Sequence, residues 1–157
     1  MLLRLLSILL LIGLAAGGCA NRYELEQQRK TLEAQNVPPQ NFKPDLLAFL
    51  QTYLNDPTNV RDAAMSEPQK LQVQDLERYA ACLRYNARNT TGRYTGLRDH
   101  LVVFVSGKFD RMIELGRASR EPRSAGLLGS SSLLDPLRNY CAAAAYLPFP
   151  ELEKLRR

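Results

Sequence analysis

The chain has 157 residues, 45% apolar and 24% charged, the balance of an ordinary globular protein with room for one domain and short extensions. Its 21 Lys and Arg against 16 Asp and Glu leave a net charge of +5, spread along the chain without a dense basic block. That pattern argues against nucleic-acid binding, which calls for a concentrated basic face.

The amino terminus has the build of an export signal. Arg4 supplies the positive start, residues 5–16 are apolar except for Ser7 and Gly13, and small residues lead into Cys19. As a helix, residues 5–18 would span about 21 Å, short of the roughly 30 Å hydrocarbon core, so a permanent membrane span is the poorer reading. The run Ala16-Gly17-Gly18-Cys19 resembles the lipobox of bacterial lipoproteins, with Ala16 where leucine is commonest. The resemblance implies a signal peptide over residues 1–18, cleavage before Cys19 and a lipid on its thiol. Ala20, in place of an aspartate, implies sorting to the outer membrane on its periplasmic side. Two or more acyl chains anchor stably where one of about 14 carbons does not. A plain signal peptide cleaved nearby, with Cys19 incidental, is the alternative.

There are three cysteines. An odd number strands a thiol in an oxidising compartment, and lipidation of Cys19 removes the orphan. Cys82 and Cys141 are then expected to form a disulfide around a loop of about 60 residues; two buried free thiols are the alternative.

Residues 19–42 are polar and rich in Gln and Glu, with Tyr23, Leu25 and Leu32 too sparse for a buried helical face. They predict a polar tether, in part a short exposed helix ending before Pro38-Pro39. A single α+β domain is expected over residues 43–157. Pro44 and Asp45 suit a first helical turn, Leu46, Phe49, Leu50, Tyr53 and Leu54 repeat at helical spacing, and Pro57 stops the run. Residues 59–68 fit strand or helix equally. From Glu77 the chain alternates Tyr79, Ala81, Leu83 and Tyr85 against Ala80, Cys82, Arg84 and Asn86, a strand pattern. A turn-rich stretch, residues 89–96, leads to a β-rich run, a Ser106-Gly107 turn and a further strand. The expected architecture is an amphipathic helix packed on a three- or four-stranded antiparallel meander. Residues 116–136, dominated by Gly, Ser and Arg, predict a flexible surface loop. The ending around Tyr146, Leu147, Phe149 and two prolines predicts a half-turn of helix.

The segment RYAACLRYNARNTTGRYTGLRDHLVVF, with Asn55-Asp56-Pro57 upstream and the late Cys141 with Phe149-Pro150-Glu151-Leu152, is similar to a group of small bacterial envelope lipoproteins of no assigned activity. The resemblance bears on fold and address: a bacterial cell envelope location, held to the membrane by an N-terminal lipid.

Motifs for chemistry are sparse. His100, the only histidine, stands beside Asp99, and a triad could be drawn with Ser106, but no nucleophile elbow or oxyanion loop accompanies it. A satisfied or exposed edge histidine is the expected role. No catalytic residues, cofactor or metal site are expected: ligand spacing is absent, as are GxGxxG and P-loop patterns. The one candidate binding surface is the turn between Asn89 and Gly96, where Arg84, Arg88, Arg93 and Arg98 gather with Tyr94, Asn86 and Asn89. Guanidiniums favour carboxylate or phosphate partners, so an envelope protein or an anionic headgroup would fit. Two functional readings follow: a lipid-anchored envelope protein of structural or interaction role, or an exported binding module for an anionic ligand. The bland alternative for the turn is that its Asn and Gly residues serve backbone geometry and its arginines solubility.

Overall fold

In the computed structural model, residues 22–118 and 134–156 are described. They fall into two units that divide between Gln35 and Asn36. In the first, residues 22–34 form helix α1, exposed except at the partly buried Leu32. It carries two surface i,i+4 ion pairs, Glu26–Lys30 at 3.4 Å and Arg29–Glu33 at 3.6 Å. Such surface pairs support a helix by only a few tenths of a kcal/mol each.

The second unit opens with helix α2, Lys43–Tyr53, and a 3-10 turn at Pro57–Asn59. Six strands follow: β1 Arg61–Ser66, β2 Gln69–Val73, β3 Leu76–Asn86, β4 Arg98–Val105, β5 Lys108–Arg117 and β6 Tyr146–Pro148. Helix α3, Asp135–Ala143, precedes β6, and α4, Pro150–Glu153, follows it. All pairings are antiparallel, in the order β5-β4-β3-β1-β6, with β2 also paired to β3. The fold is α+β.

The meander β3-β4-β5 is the one the alternation predicts. Its Ser106-Gly107 turn has positive φ at both positions, 52° and 74°, the two-residue hairpin geometry that follows strand twist. Glycine suits the positive φ there, and a Cβ on Gly107 would also come within 3.3 Å of the Pro38 carbonyl oxygen, a tight contact.

The sheet exceeds the three or four strands expected, because the added strands lack a readable period. Segment 59–68 contains β1, whose pairing with β3 slips between Arg61 and Ala64 around Asp62, at φ 54°. That irregularity is held from outside: the Ala63 N–H donates to Glu153 Oε1 at 2.9 Å, and the Phe149 N–H to the Ala63 carbonyl at 2.8 Å. Strand β2, QKLQV, is mostly polar, and β6 is three residues long. Both β1 and β2 lie along the same edge of the 11-residue β3. Where the ladder breaks between them, the Ser66 hydroxyl accepts the Cys82 N–H at 2.9 Å and keeps that buried donor satisfied.

Two cores result. On one face, Ala81, Leu83, Tyr85, Val102 and Phe104 pack with Leu46 and Leu50 of α2, and with Phe149 and Leu152. On the other, Ala80, Cys82, Leu101, Val103 and Leu115 pack with Leu137 and Cys141 of α3. The Cys82–Cys141 disulfide, with Cα atoms 5.5 Å apart, joins β3 to α3 through this second core.

Three boundaries differ from expectation. Residues 36–42, read with the tether, belong to the larger unit: the Phe42 ring meets Phe104 edge-on, with centroids 4.8 Å apart. Gly116 and Arg117 continue β5, and Asp135 and Pro136 begin α3, so both ends of the predicted loop 116–136 are regular structure. Its central residues, 119–133, lie outside the described ones, as do residues 1–21 with Cys19.

The bridge spans 59 residues of chain, which in the loop-entropy model is worth about 4 kcal/mol. A Cys82→Ala, Cys141→Ala double variant is expected to lose about that much in equilibrium urea unfolding against the oxidised wild type.

Candidate functional site: the arginine-rich end of the sheet

The turn between β3 and β4 is built by two asparagines. Asn89 Oδ1 accepts the Thr91 N–H at 3.0 Å, the Thr91 hydroxyl at 2.8 Å and the Arg93 N–H at 2.9 Å. Asn86 Oδ1 accepts the Gly96 N–H at 3.0 Å. Gly92 and Gly96 take the positive φ the path requires, 74° and 84°, and Arg88 and Tyr94 form an antiparallel bridge at its neck. The asparagines and glycines thus serve backbone geometry, as an Asx-organised loop does.

The arginines separate into three situations. Arg84, on the face of β3 that carries Cys82, lies opposite Asp99 of β4. Its Nε and one terminal nitrogen reach the two Asp99 oxygens at 2.6 and 3.0 Å, and the guanidinium stacks 4.3 Å from the Tyr146 ring centroid. The Tyr146 hydroxyl lies 3.1 Å from the Cys141 carbonyl and 3.3 Å from Asp99 Oδ1. Burial and the adjacent carboxylate raise the Tyr146 phenol above its usual range, and the bond to Asp99 does the same for Arg84. The side chains of this pair are 16% and 6% exposed, so it is part of the interior. Arg98 is half-exposed and meets Glu114 at 2.6 Å. These two of the predicted surface residues are committed to carboxylates on neighbouring strands and do not form a free anion surface with the others.

Arg88, Tyr94 and Arg93 do share the neck of the turn. The Tyr94 ring has the Arg88 guanidinium 5.0 Å from its centroid and that of Arg61 at 4.4 Å. Arg61 is not legible from the sequence as a member of this group. It opens β1, far from the turn in the chain, and arrives only because its strand register sets it across from Asn86. Arg88 also makes a long 3.5 Å contact with Asp56. The Asp56 carboxylate is held chiefly by Thr58 and Asn59, whose hydrogen bonds keep its pKa below the ordinary value. Arg93 is exposed.

His100 is not an edge histidine. It lies on β4, between β3 and β5, and is 2% exposed. Its ring stacks on Tyr85 at 4.5 Å and 6°, with Nε2 3.2 Å from the Tyr85 hydroxyl. Nδ1 is buried with no hydrogen-bond partner among the described residues. Burial lowers the pKa from 6.5 to about 4, against smaller opposing pulls from Glu114 and Asp99. The imidazole is therefore neutral near pH 7. Ser106 stands at the opposite end of β4, about 20 Å away at the rise of a strand, so no triad assembles around this histidine.

Among the described residues there is no group of three or more His, Cys, Asp or Glu able to hold a metal ion, and no helix long and apolar enough to cross a membrane. The chain matches no protein-family model, no curated protein and no solved structure.

Removing one member of a buried ion pair strands the other without water, so Asp99→Ala is expected to cost about 3 kcal/mol. Arg98→Ala, at a half-exposed pair, is expected to cost under about 1 kcal/mol. Chemical denaturation of the two variants checks the contrast. Between pH 6.5 and about 4 the unfolded chain protonates His100 and the folded one does not, so stability falls as pH falls through that window. A wild-type loss about 3 kcal/mol larger than that of His100→Phe, measured by urea unfolding at pH 7 and pH 4, is the expected result.

Proposed function

We propose that this chain is a lipid-anchored protein of the bacterial cell envelope, held to the outer membrane through Cys19 and facing the periplasm. It serves there as a structural or interaction module without catalytic activity. The observation that carries the reading is the Cys82–Cys141 bridge. A buried structural disulfide belongs to an oxidising compartment, and it accounts for two of the three cysteines. The remaining one, Cys19, sits behind an apolar run and three small residues, where a lipoprotein signal places its acylated cysteine.

The rest of the chain suits the same role. Helix α1 is polar and mostly exposed, with Tyr23 and Leu25 both more than half accessible, and serves as part of a spacer. The folded unit has most of its apolar side chains in two cores covered by helices, with a few such as Leu147 and Tyr53 left exposed, an arrangement suited to water beside a membrane. Its partners are the membrane, through the lipid, and an envelope protein or anionic group met by its surface.

Metabolic labelling with radioactive palmitate tests the anchor. The full chain is expected to incorporate label and to fractionate with outer membranes. Cys19→Ala is expected to abolish incorporation, and label persisting in that variant would sink the proposal.

A further inference from the structure

We propose that the neck of the β3–β4 turn, where Arg61, Arg88 and Tyr94 converge, is a binding site for a phosphate group. The site stands on the folded domain alone and does not depend on whether Cys19 carries a lipid.

Charge is the first argument. Several other arginines of the domain are closely matched: Arg84 to Asp99 at 2.6 Å, Arg98 to Glu114 at 2.6 Å and Arg138 to Asp135 at 2.7 Å. At the neck, the Arg61 and Arg88 guanidiniums lie within 5.0 Å of the centre of one phenol ring, and Arg93 belongs to the same turn. Among the described residues the one carboxylate in contact is Asp56, 3.5 Å from Arg88, and its oxygens already accept Thr58 and Asn59. Arg61 and Arg93 have no carboxylate within ion-pair distance among the described residues. The cluster carries positive charge in excess, and cations held on one ring repel unless an anion joins them.

Unused donors are the second, independent argument. Arg88 Nε and the Tyr94 hydroxyl are buried, and neither has a hydrogen-bond partner among the described residues. An Nε–H can only donate, and the phenol can donate as well. Buried polar groups are paired in folded proteins, so two orphan donors beside surplus guanidiniums call for an acceptor-only group. A phosphate meets that need better than a carboxylate. Donors come from three side chains on two separate stretches of chain, and a tetrahedral group offers three or four oxygens where a planar one offers two. An anion meets the exposed Arg61 and Arg93 and the one-third-exposed Arg88 guanidinium directly, and the covered Arg88 Nε and Tyr94 hydroxyl engage it once the two guanidiniums shift around it.

The phosphate could be a free monoester or inorganic ion, or the phosphodiester of a lipid headgroup. Calorimetric titration of the full chain in neutral detergent separates them, using inorganic phosphate in one arm and glycerophosphoglycerol, a soluble phosphodiester headgroup, in the other. Saturable binding is expected in at least one arm. Tighter binding of the diester assigns the site to lipid headgroups, and tighter binding of inorganic phosphate to free phosphate. Arg61→Gln, at an exposed strand end, is expected to weaken binding about tenfold, and Tyr94→Phe, which keeps the ring, a few-fold. Arg98→Gln, whose partner is Glu114, is expected to bind as wild type. Circular dichroism and thermal melting of each variant establish that it is folded before titration, and Arg88→Lys replaces Arg61→Gln if the latter unfolds. No saturable binding in either arm, or folded Arg61 and Tyr94 variants that titrate as wild type, would overturn the proposal.

Discussion

Strand β3 must be covered on both faces and along both edges, and the rest of the domain is the answer to that demand. From Tyr79 to Tyr85 its side chains alternate between two buried cores, so no side of the strand is left to water. One edge is filled by β4. The other is longer than any neighbouring strand and is shared by β1 and β2, with the Ser66 hydroxyl closing the gap at Cys82. A strand so enclosed cannot leave a backbone donor unpaired without a penalty of about 1–3 kcal/mol, which is why the break in the ladder needs a side chain. Helix α2 covers one face. The shorter α3 covers the other and is joined to it covalently.

The polar groups inside the sheet cluster at the end where the β3–β4 turn leaves it. Arg84 and Asp99 face α3 with Tyr146, and His100 faces the opposite core against Tyr85. The first is a bidentate pair with both carboxylate oxygens and two of the three guanidinium nitrogens engaged, the condition under which buried charge is tolerated. His100 is satisfied at one nitrogen only, and staying neutral is what makes its burial possible. The end of the sheet is therefore pinned on both sides, and the turn emerges from a rigid base. A binding site on that turn needs such support: its guanidiniums hang from β1 and from the bridge between Arg88 and Tyr94, not from a free loop tip.

Location and surface chemistry draw on separate parts of the chain. The proposed anchor lies in the first 19 residues, whereas the phosphate site lies in the domain and uses residues 61 to 94. An anchored protein meets phosphate groups at high local density, so the two proposals fit together physically while resting on different observations.

Much of this was legible in local pattern. Residues 43–54 repeat at helical spacing, residues 78–86 alternate, and Ser106-Gly107 is a hairpin turn, because helix and strand periods and turn conformations are properties of neighbouring residues. The pairing of Cys82 with Cys141 followed from counting, since a third cysteine had a separate use. What local pattern could not supply is set by register between distant segments. Strand β1 hides its period behind a bulge stabilised by Glu153, 90 residues away, and β2 and β6 are strands only because β3 and β1 offer them edges. The same applies to the arginines. Four of them close together in sequence resemble one basic surface, yet Asp99 and Glu114 remove Arg84 and Arg98 from it, and Arg61 enters from another strand. The sequence by itself determined which segments could be helix, strand and turn, for those preferences are local. Only the tertiary structure decided which charges are spent inside and which are left to meet a partner, because a Coulomb pair depends on distance through space.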